Sequence, residues 1–151
     1  MDSNSGLLHV SDIMSDHVVT VRPSEKISVV ASKLLKLGVG SVLVVDHFMI
    51  IGIITKGDIL RGVVLKLLDA SEAPAEAVMS SNVVTIKSTA TVEEAALTMS
   101  DRRVSKLPVI GESGDLVGII TSTDIIRSEP GEVDYLQELV RARFVPHELR
   151  T

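Results

Sequence analysis

The sequence predicts an α/β fold of two tandem β-α-β-β-α repeats packed about a pseudo-twofold axis, followed by a C-terminal helix. Three observations carry this. GIITKGDI at Gly52–Ile59 returns as GIITSTDI at Gly118–Ile125. IMSDHVVTV at Ile13–Val21 returns as VMSSNVVTI at Val78–Ile86. Within each copy, apolar residues pass from helical spacing to the near-continuous runs of a buried strand. The offset is 78 − 13 = 65 at the earlier phrase and 118 − 52 = 66 at the later one, so one residue is inserted between them. The tolerant place is the turn where Asp46–Met49 faces Gly111–Asp115.

Each copy opens with a short VVT strand. In the first, Ile27, Val30, Leu34 and Leu37 recur at spacings of three and four, with Ser24 placed to cap the helix. In the second, Val92, Ala95, Ala96 and Met99 repeat the stripe, and Thr91 with Glu94 fits a capping box. VGSVLVVD (39–46) and VSKLPVIG (104–111) read as buried strands, with IIGIIT and LVGIIT as their partners. A second helix begins at Asp58 or Asp124. In the first copy it is expected to bury Ile59, Leu60, Val63, Val64 and Leu67; in the second, Pro130 and Gly131 shorten it. The tail, Glu132–Val145, places Val133, Leu136, Leu139, Val140 and Phe144 on one helical face. These readings divide the chain into repeat 1 (7–70), repeat 2 (73–128) and a helical extension (129–151). A half of about 60 residues is marginal alone, so the two copies are expected to pack together and neither to be dispensable.

Composition narrows the function. Hydrophobic residues are 45% of the chain, enough for a core, yet no apolar run approaches the roughly 18 residues of a membrane span. The start, MDSNSGLLHV, has no basic segment followed by an apolar run, so a cytoplasmic location is expected. Zero cysteines excludes disulfides, thiolate metal sites and thiol nucleophiles. Lys and Arg total 15 against 20 Asp and Glu, a charge of -5 that opposes nucleic acid and anionic membranes as partners. Phe48, Tyr135 and Phe144 are the only Phe or Tyr residues and Trp is absent, too few rings for a base-stacking platform.

The repeated phrase places a hydroxyl (Thr55, Thr121) and a carboxylate (Asp58, Asp124) at a helix N-terminus. A carboxylate accepts through two oxygens and so can take two neighbouring ribose hydroxyls, as the acidic residue of dinucleotide-binding folds does. The competing reading is a plain helix cap, and duplication copies structural residues as faithfully as functional ones.

The copies also differ. Gly38, Gly40 and Ser41 of the first align with Arg103, Ser105 and Lys106 of the second, where DRRVSKLP carries three cations. Basic groups beside a Ser hydroxyl suit a phosphate; the alternative for Arg102 and Arg103 is a solvated helix end. His9, His17, His47 and His147 show no metal-ligand spacing, and no P-loop, nucleophile elbow or nucleophile–base set is present.

The repeated unit resembles a CBS domain, and the chain a tandem pair of them, a Bateman module. The resemblance rests on I/V-M-S-x-x-V-V-T-V/I, on RRVSKLPVI and on G-I-I-T-x-x-D-I, in order and twice, over Leu7–Ser128. It implies two related clefts binding adenosyl compounds: AMP, ADP, ATP, or S-adenosylmethionine and its relatives. By that pattern Asp58 and Asp124 hold ribose, with Thr55 and Thr121 beside them. The apolar walls near Met14, Val19 and Ile53, and near Met79, Val84 and Ile119, take adenine. Phosphates reach the strand start of the other repeat, so a ligand on Asp58 meets Ser105 and Lys106, and one on Asp124 meets Gly40 and Ser41. The last pair lacks the expected cation, which leaves that cleft either empty or with a preference for a ligand without phosphate.

The leading reading is a non-catalytic, ligand-sensing regulatory module, a homodimer acting on a partner protein. A dimerisation scaffold without a physiological ligand is the alternative from the structural class. A DNA-associated regulator using Arg141, Arg143 and Arg150 is a third, weakened by Glu138 and Glu148. An enzyme has no catalytic set to support it.

Overall fold

The computed structural model of the chain describes residues 7–128, and the helix expected over Glu132–Val145 lies outside them. Two compact units result: residues 18–83, and residues 84–128 joined by the N-terminal segment 7–17 with its short helix α1 (Val10–Ile13).

In the first unit β1 (Thr20–Val21) crosses through α2 (Ile27–Leu37) to a parallel β2 (Ser41–Asp46), which turns back into an antiparallel β3 (Met49–Thr55). Helix α3 (Lys56–Leu60) follows, running into a π-helical turn over Arg61–Leu65. The second unit repeats the order with β4 (Ile86–Lys87), α4 (Val92–Arg102), β5 (Lys106–Ile110), β6 (Leu116–Thr121) and α5 (Ser122–Ser128). The central strands β2 and β5 are buried at three consecutive residues each, on both faces. Val30, Leu34, Val42, Val44 and Ile54 form the first core, and Ala95, Met99, Leu107, Val109, Ile120 and Ile125 the second.

Each unit is completed by the segment that precedes the other repeat. Val10 is fully buried in the second core, its N–H donating to the Ala90 carbonyl at 2.8 Å, while the Ser11 N–H reaches Ser88. Sixty-five residues on (75 − 10), Ala75 fills the same place in the first core and donates to the Glu25 carbonyl, as Glu76 does to Pro23. The same segments satisfy helix ends. Ser24 does not cap α2: its N-cap is Lys26, without a side-chain bond, and the Ile27 and Ser28 amides donate to the Ala73 and Ala70 carbonyls at 3.0 and 2.9 Å. A strand-like neighbour thus replaces the cap that the sequence led us to place there. In α4, Thr91 and Glu94 do form the expected capping box.

The second helix of the first copy differs from the stripe read in the sequence. Leu60, Val64 and Leu67 are exposed, and the buried residue is Gly62. A Cβ there would lie 2.5 Å from Val78 Cγ1, so the backbone approaches Val78 where no side chain fits. The chain then winds wider, Lys66 donating to the Arg61 carbonyl, and this carries the following leucines away from the core.

The inserted residue lies in the hairpin turns. Asp46 and Met49 bracket two residues, His47 and Phe48, at φ 50° and 66°; the second copy spends three residues there, with Gly114 at φ 82°. Two residues in the left-handed region form the hairpin turn that favours Asn-Gly. Replacing His47→Asn and Phe48→Gly together is expected to stabilise the chain by about 1 kcal/mol. An unchanged or lower Tm would show that the turn holds no such strain.

Candidate functional site

In each unit the motif glycine, threonine and aspartate stand in sequence along the last strand and the first helical turn. The glycine is demanded by a close approach. A Cβ on Gly52 would meet Met79 Sδ at 2.6 Å and the Ser80 carbonyl at 3.0 Å; one on Gly118 would meet Met14 Sδ and the Ser15 carbonyl, both at 2.8 Å. The Met-Ser segment is zipped to the next residue of the strand, Ile53 to Ser80 and Ile119 to Ser15, by paired backbone bonds of 2.8–2.9 Å.

This regroups the six apolar positions expected to receive adenine. The sequence suggested Met14 with Ile53 and Met79 with Ile119. The structure sets Val19, Ile53 and Met79 in one unit, and Met14, Val84 and Ile119 in the other, all six half-buried. The cause is the exchange of leading segments, invisible to an alignment of one copy on the other.

Thr55 and Asp58 form a reciprocal capping box. The Asp58 N–H donates to Thr55 Oγ1 at 3.2 Å, and the Thr55 N–H to Asp58 Oδ2 at 2.8 Å. Thr121 and Asp124 do the same at 3.2 and 2.8 Å. Helix α3 therefore begins at Lys56 with Thr55 as its N-cap, two residues before Asp58. One carboxylate oxygen is committed to the backbone in both copies; the other decides what else the site can accept.

At Asp58 that oxygen meets Arg61, whose guanidinium donates to Oδ1 at 2.7 Å. Burial pushes this carboxyl up, but the Thr55 amide, Arg61 and the Thr55 hydroxyl outweigh it and hold it below the usual carboxylate value. A depressed folded-state value contributes stability above the unfolded pKa, lost as pH falls through the folded one. Asp58→Asn is thus expected to flatten the acid limb of a Tm–pH curve below about pH 4. An unaltered slope would deny the ion pair that role.

Around the strand starts, Ser41 pairs with Thr55, and Lys56 donates to the Gly40 carbonyl. In the other unit Lys106 pairs with Thr121, and Ser122 donates to the Ser105 carbonyl at 2.9 Å. Lys106 thus belongs to the unit that carries Asp124. Gly40 faces open space, so nothing in the packing requires a glycine there. At the position matching Gly38, Arg103 takes the left-handed conformation at φ 57°, where glycine is favoured. Arg102, Arg103 and Lys106 are exposed and have no acidic partner among the described residues. The sequence reading missed Arg61; its signal was the spacing Asp-x-x-Arg, one helical turn, present in both copies.

Among the described residues no cluster of His, Asp and Glu is arranged to hold a metal, and no helix is long and apolar enough to cross a membrane.

Two β-α-β-β-α units with the same Thr–Asp box define a duplicated class of module. The chain belongs to the CBS-domain family, whose model matches residues 10–65 and 75–131. A Methanopyrus kandleri protein described as uncharacterised is 34% identical over 130 residues, 85% of this chain and 66% of that one. Homoserine O-acetyltransferases and L-aspartate semialdehyde sulfurtransferases of other archaea share 31–36%, but the chain spans only 22–24% of their length. Among solved structures, the CBS domain pair of protein MJ0100, in complex with 5′-methylthioadenosine and S-adenosyl-L-methionine, is 31% identical at a TM-score of 0.68, covering 83% of this chain and 98% of its own. The cytosolic domain of the Mg2+ channel MgtE in complex with ATP is 26% identical at 0.65, covering 76% of this chain and 46% of its own. CBS-pair neighbours of this chain therefore hold adenosyl ligands.

Proposed function

We propose that the chain is a non-catalytic sensing module whose two repeats bind adenosyl compounds and report their occupancy to a partner protein. The observation that carries the reading is the Thr–Asp box, formed twice with the same bond lengths beside half-buried apolar side chains. Asp58 and Asp124 accept ribose hydroxyls, with Thr55 and Thr121 holding the carboxylates in place. Val19, Ile53 and Met79 line one adenine wall, and Met14, Val84 and Ile119 the other. The ligands bound by the MJ0100 pair and by MgtE support the adenosyl class.

Ser105 and Lys106 hold the phosphate of AMP, ADP or ATP. Keeping Arg103 in a conformation that favours glycine supports a use for the positive charge there. Gly40 and Ser41, which bring no cation, suit a ligand without phosphate, such as S-adenosylmethionine or a thioether nucleoside. The exposed Leu60, Val64, Leu65 and Leu67 support association into a homodimer.

A thermal-shift panel of AMP, ADP, ATP, S-adenosylmethionine and 5′-methylthioadenosine tests the reading. A ligand at about 100 times its Kd adds about 2.7 kcal/mol, or roughly 5 to 10 °C at this size. Lys106→Ala is expected to shrink the AMP and ATP shifts while sparing adenosine. Absence of any shift at millimolar ligand would favour the dimerisation scaffold instead.

A further inference from the structure

The two carboxylates differ in what their second oxygen already holds. Asp58 is engaged on both sides: Oδ2 takes the Thr55 N–H at 2.8 Å and the Thr55 hydroxyl at 3.0 Å, and Oδ1 takes the Arg61 guanidinium at 2.7 Å. Asp124 takes the Thr121 N–H on Oδ2, and among the described residues no cation reaches it. The local sequences do not separate them, since DILR (58–61) and DIIR (124–127) both set an arginine three residues on. The structure does: the Arg61 guanidinium lies on its aspartate, whereas no ion pair joins Arg127 to Asp124 among the described residues.

We propose that Arg61 is a specificity-determining residue that closes the Asp58 carboxylate to neutral nucleosides and admits anionic ones, leaving Asp124 as the acceptor for uncharged ligands. This rests on the ribose reading of Asp58 and adds to it a ligand class for each carboxylate. The Asp58 side chain is 15% exposed and that of Arg61 62%, so the anion is enclosed while the cation has solvent to move into when displaced. A ribose hydroxyl reaching Oδ1 must displace the guanidinium. A neutral nucleoside offers the displaced cation nothing, so an ion pair is exchanged for a hydroxyl-to-carboxylate bond and the guanidinium is left without an anion. A ligand carrying a phosphate close to its ribose offers a new anion, and one ion pair is exchanged for another. A cationic group, such as a sulfonium, would meet the freed arginine and be repelled. Among the described residues nothing at Asp124 imposes such an exchange.

The test isolates the Asp58 site in an Asp124→Asn background and compares Arg61 with Arg61→Gln by calorimetric titration of AMP and of adenosine. With Arg61 present, AMP is expected to bind about tenfold or more tightly than adenosine, the ratio that one charge-assisted bond supplies. In Arg61→Gln adenosine should tighten, AMP should weaken, and the ratio should fall towards one. Carbon-13 NMR of the Asp58 carboxyl gives a readout without ligand: its titration midpoint should rise in Arg61→Gln. An unchanged AMP-to-adenosine ratio, with AMP still bound, overturns the role of Arg61 alone. Failure of both ligands to bind with either residue at position 61, while the carboxyl midpoint still moves, overturns the ribose reading and this inference with it.

Discussion

A chain lacking residues 1–17 is expected to lose the fold of its second repeat, although that repeat begins far downstream. The deletion empties the fully buried place of Val10, a side chain whose burial stabilises by about 1.5–3 kcal/mol. It also orphans the Ala90 and Ser88 carbonyls, the Val92 N–H that donates to Leu8, and both groups of Ile119 that bond Ser15. A buried polar group left without its partner costs about 1–3 kcal/mol. Even partial exposure of these five sites matches the 5–15 kcal/mol by which a whole domain is stable. Amide hydrogen exchange checks this: protection should vanish across β4 to β6 and persist longer in β2 and β3. Full protection of β5 and β6 in the shortened chain would contradict the exchange of segments.

Asp124→Asn is expected to weaken adenosyl binding at its unit by about ten- to a hundredfold while changing the stability of the free protein by less than about 1 kcal/mol. The asparagine oxygen still accepts the Thr121 N–H, so most of the cap survives. Its second group becomes an amide NH2, a donor where a ribose hydroxyl needs an acceptor. Hydrogen bonds to a charged group contribute about 1.5–3 kcal/mol each, which sets the expected loss. Titration with 5′-methylthioadenosine reads the affinity and a melting curve reads the stability. Retention of affinity within twofold would reduce Thr121 and Asp124 to a helix cap. A large drop in Tm with proportionate loss of binding would point the same way.

The capping box and the ribose site were rival readings of Thr-x-x-Asp in the sequence, and the geometry makes them compatible. The cap uses Oδ2 in both copies; Oδ1 is taken by Arg61 at Asp58 and by nothing among the described residues at Asp124. Only coordinates separate the two oxygens of one carboxylate, so no motif resolves that question. The Leu60–Leu67 stretch shows the opposite limit. Its apolar spacing is helical in the sequence, but a glycine that lets the backbone close on Val78 and a wider turn after it set the actual face. Periodicity assumes a uniform 3.6-residue winding, and the winding changes at Arg61.

By itself the sequence determined the duplication, the order of strands and helices in each copy, the turn that takes the extra residue and the family. These follow from local patterns and from comparing the chain with itself. The tertiary structure alone decided which leading segment completes which unit, and hence that Met79 stands by Ile53 and Met14 by Ile119. It also decided that, among the described residues, Asp58 is held by an arginine while Asp124 is not. Two near-identical copies offer near-identical local signals. What completes each site is the packing of a distant segment, and what distinguishes the two among the described residues is the direction of one side chain; a local pattern encodes neither.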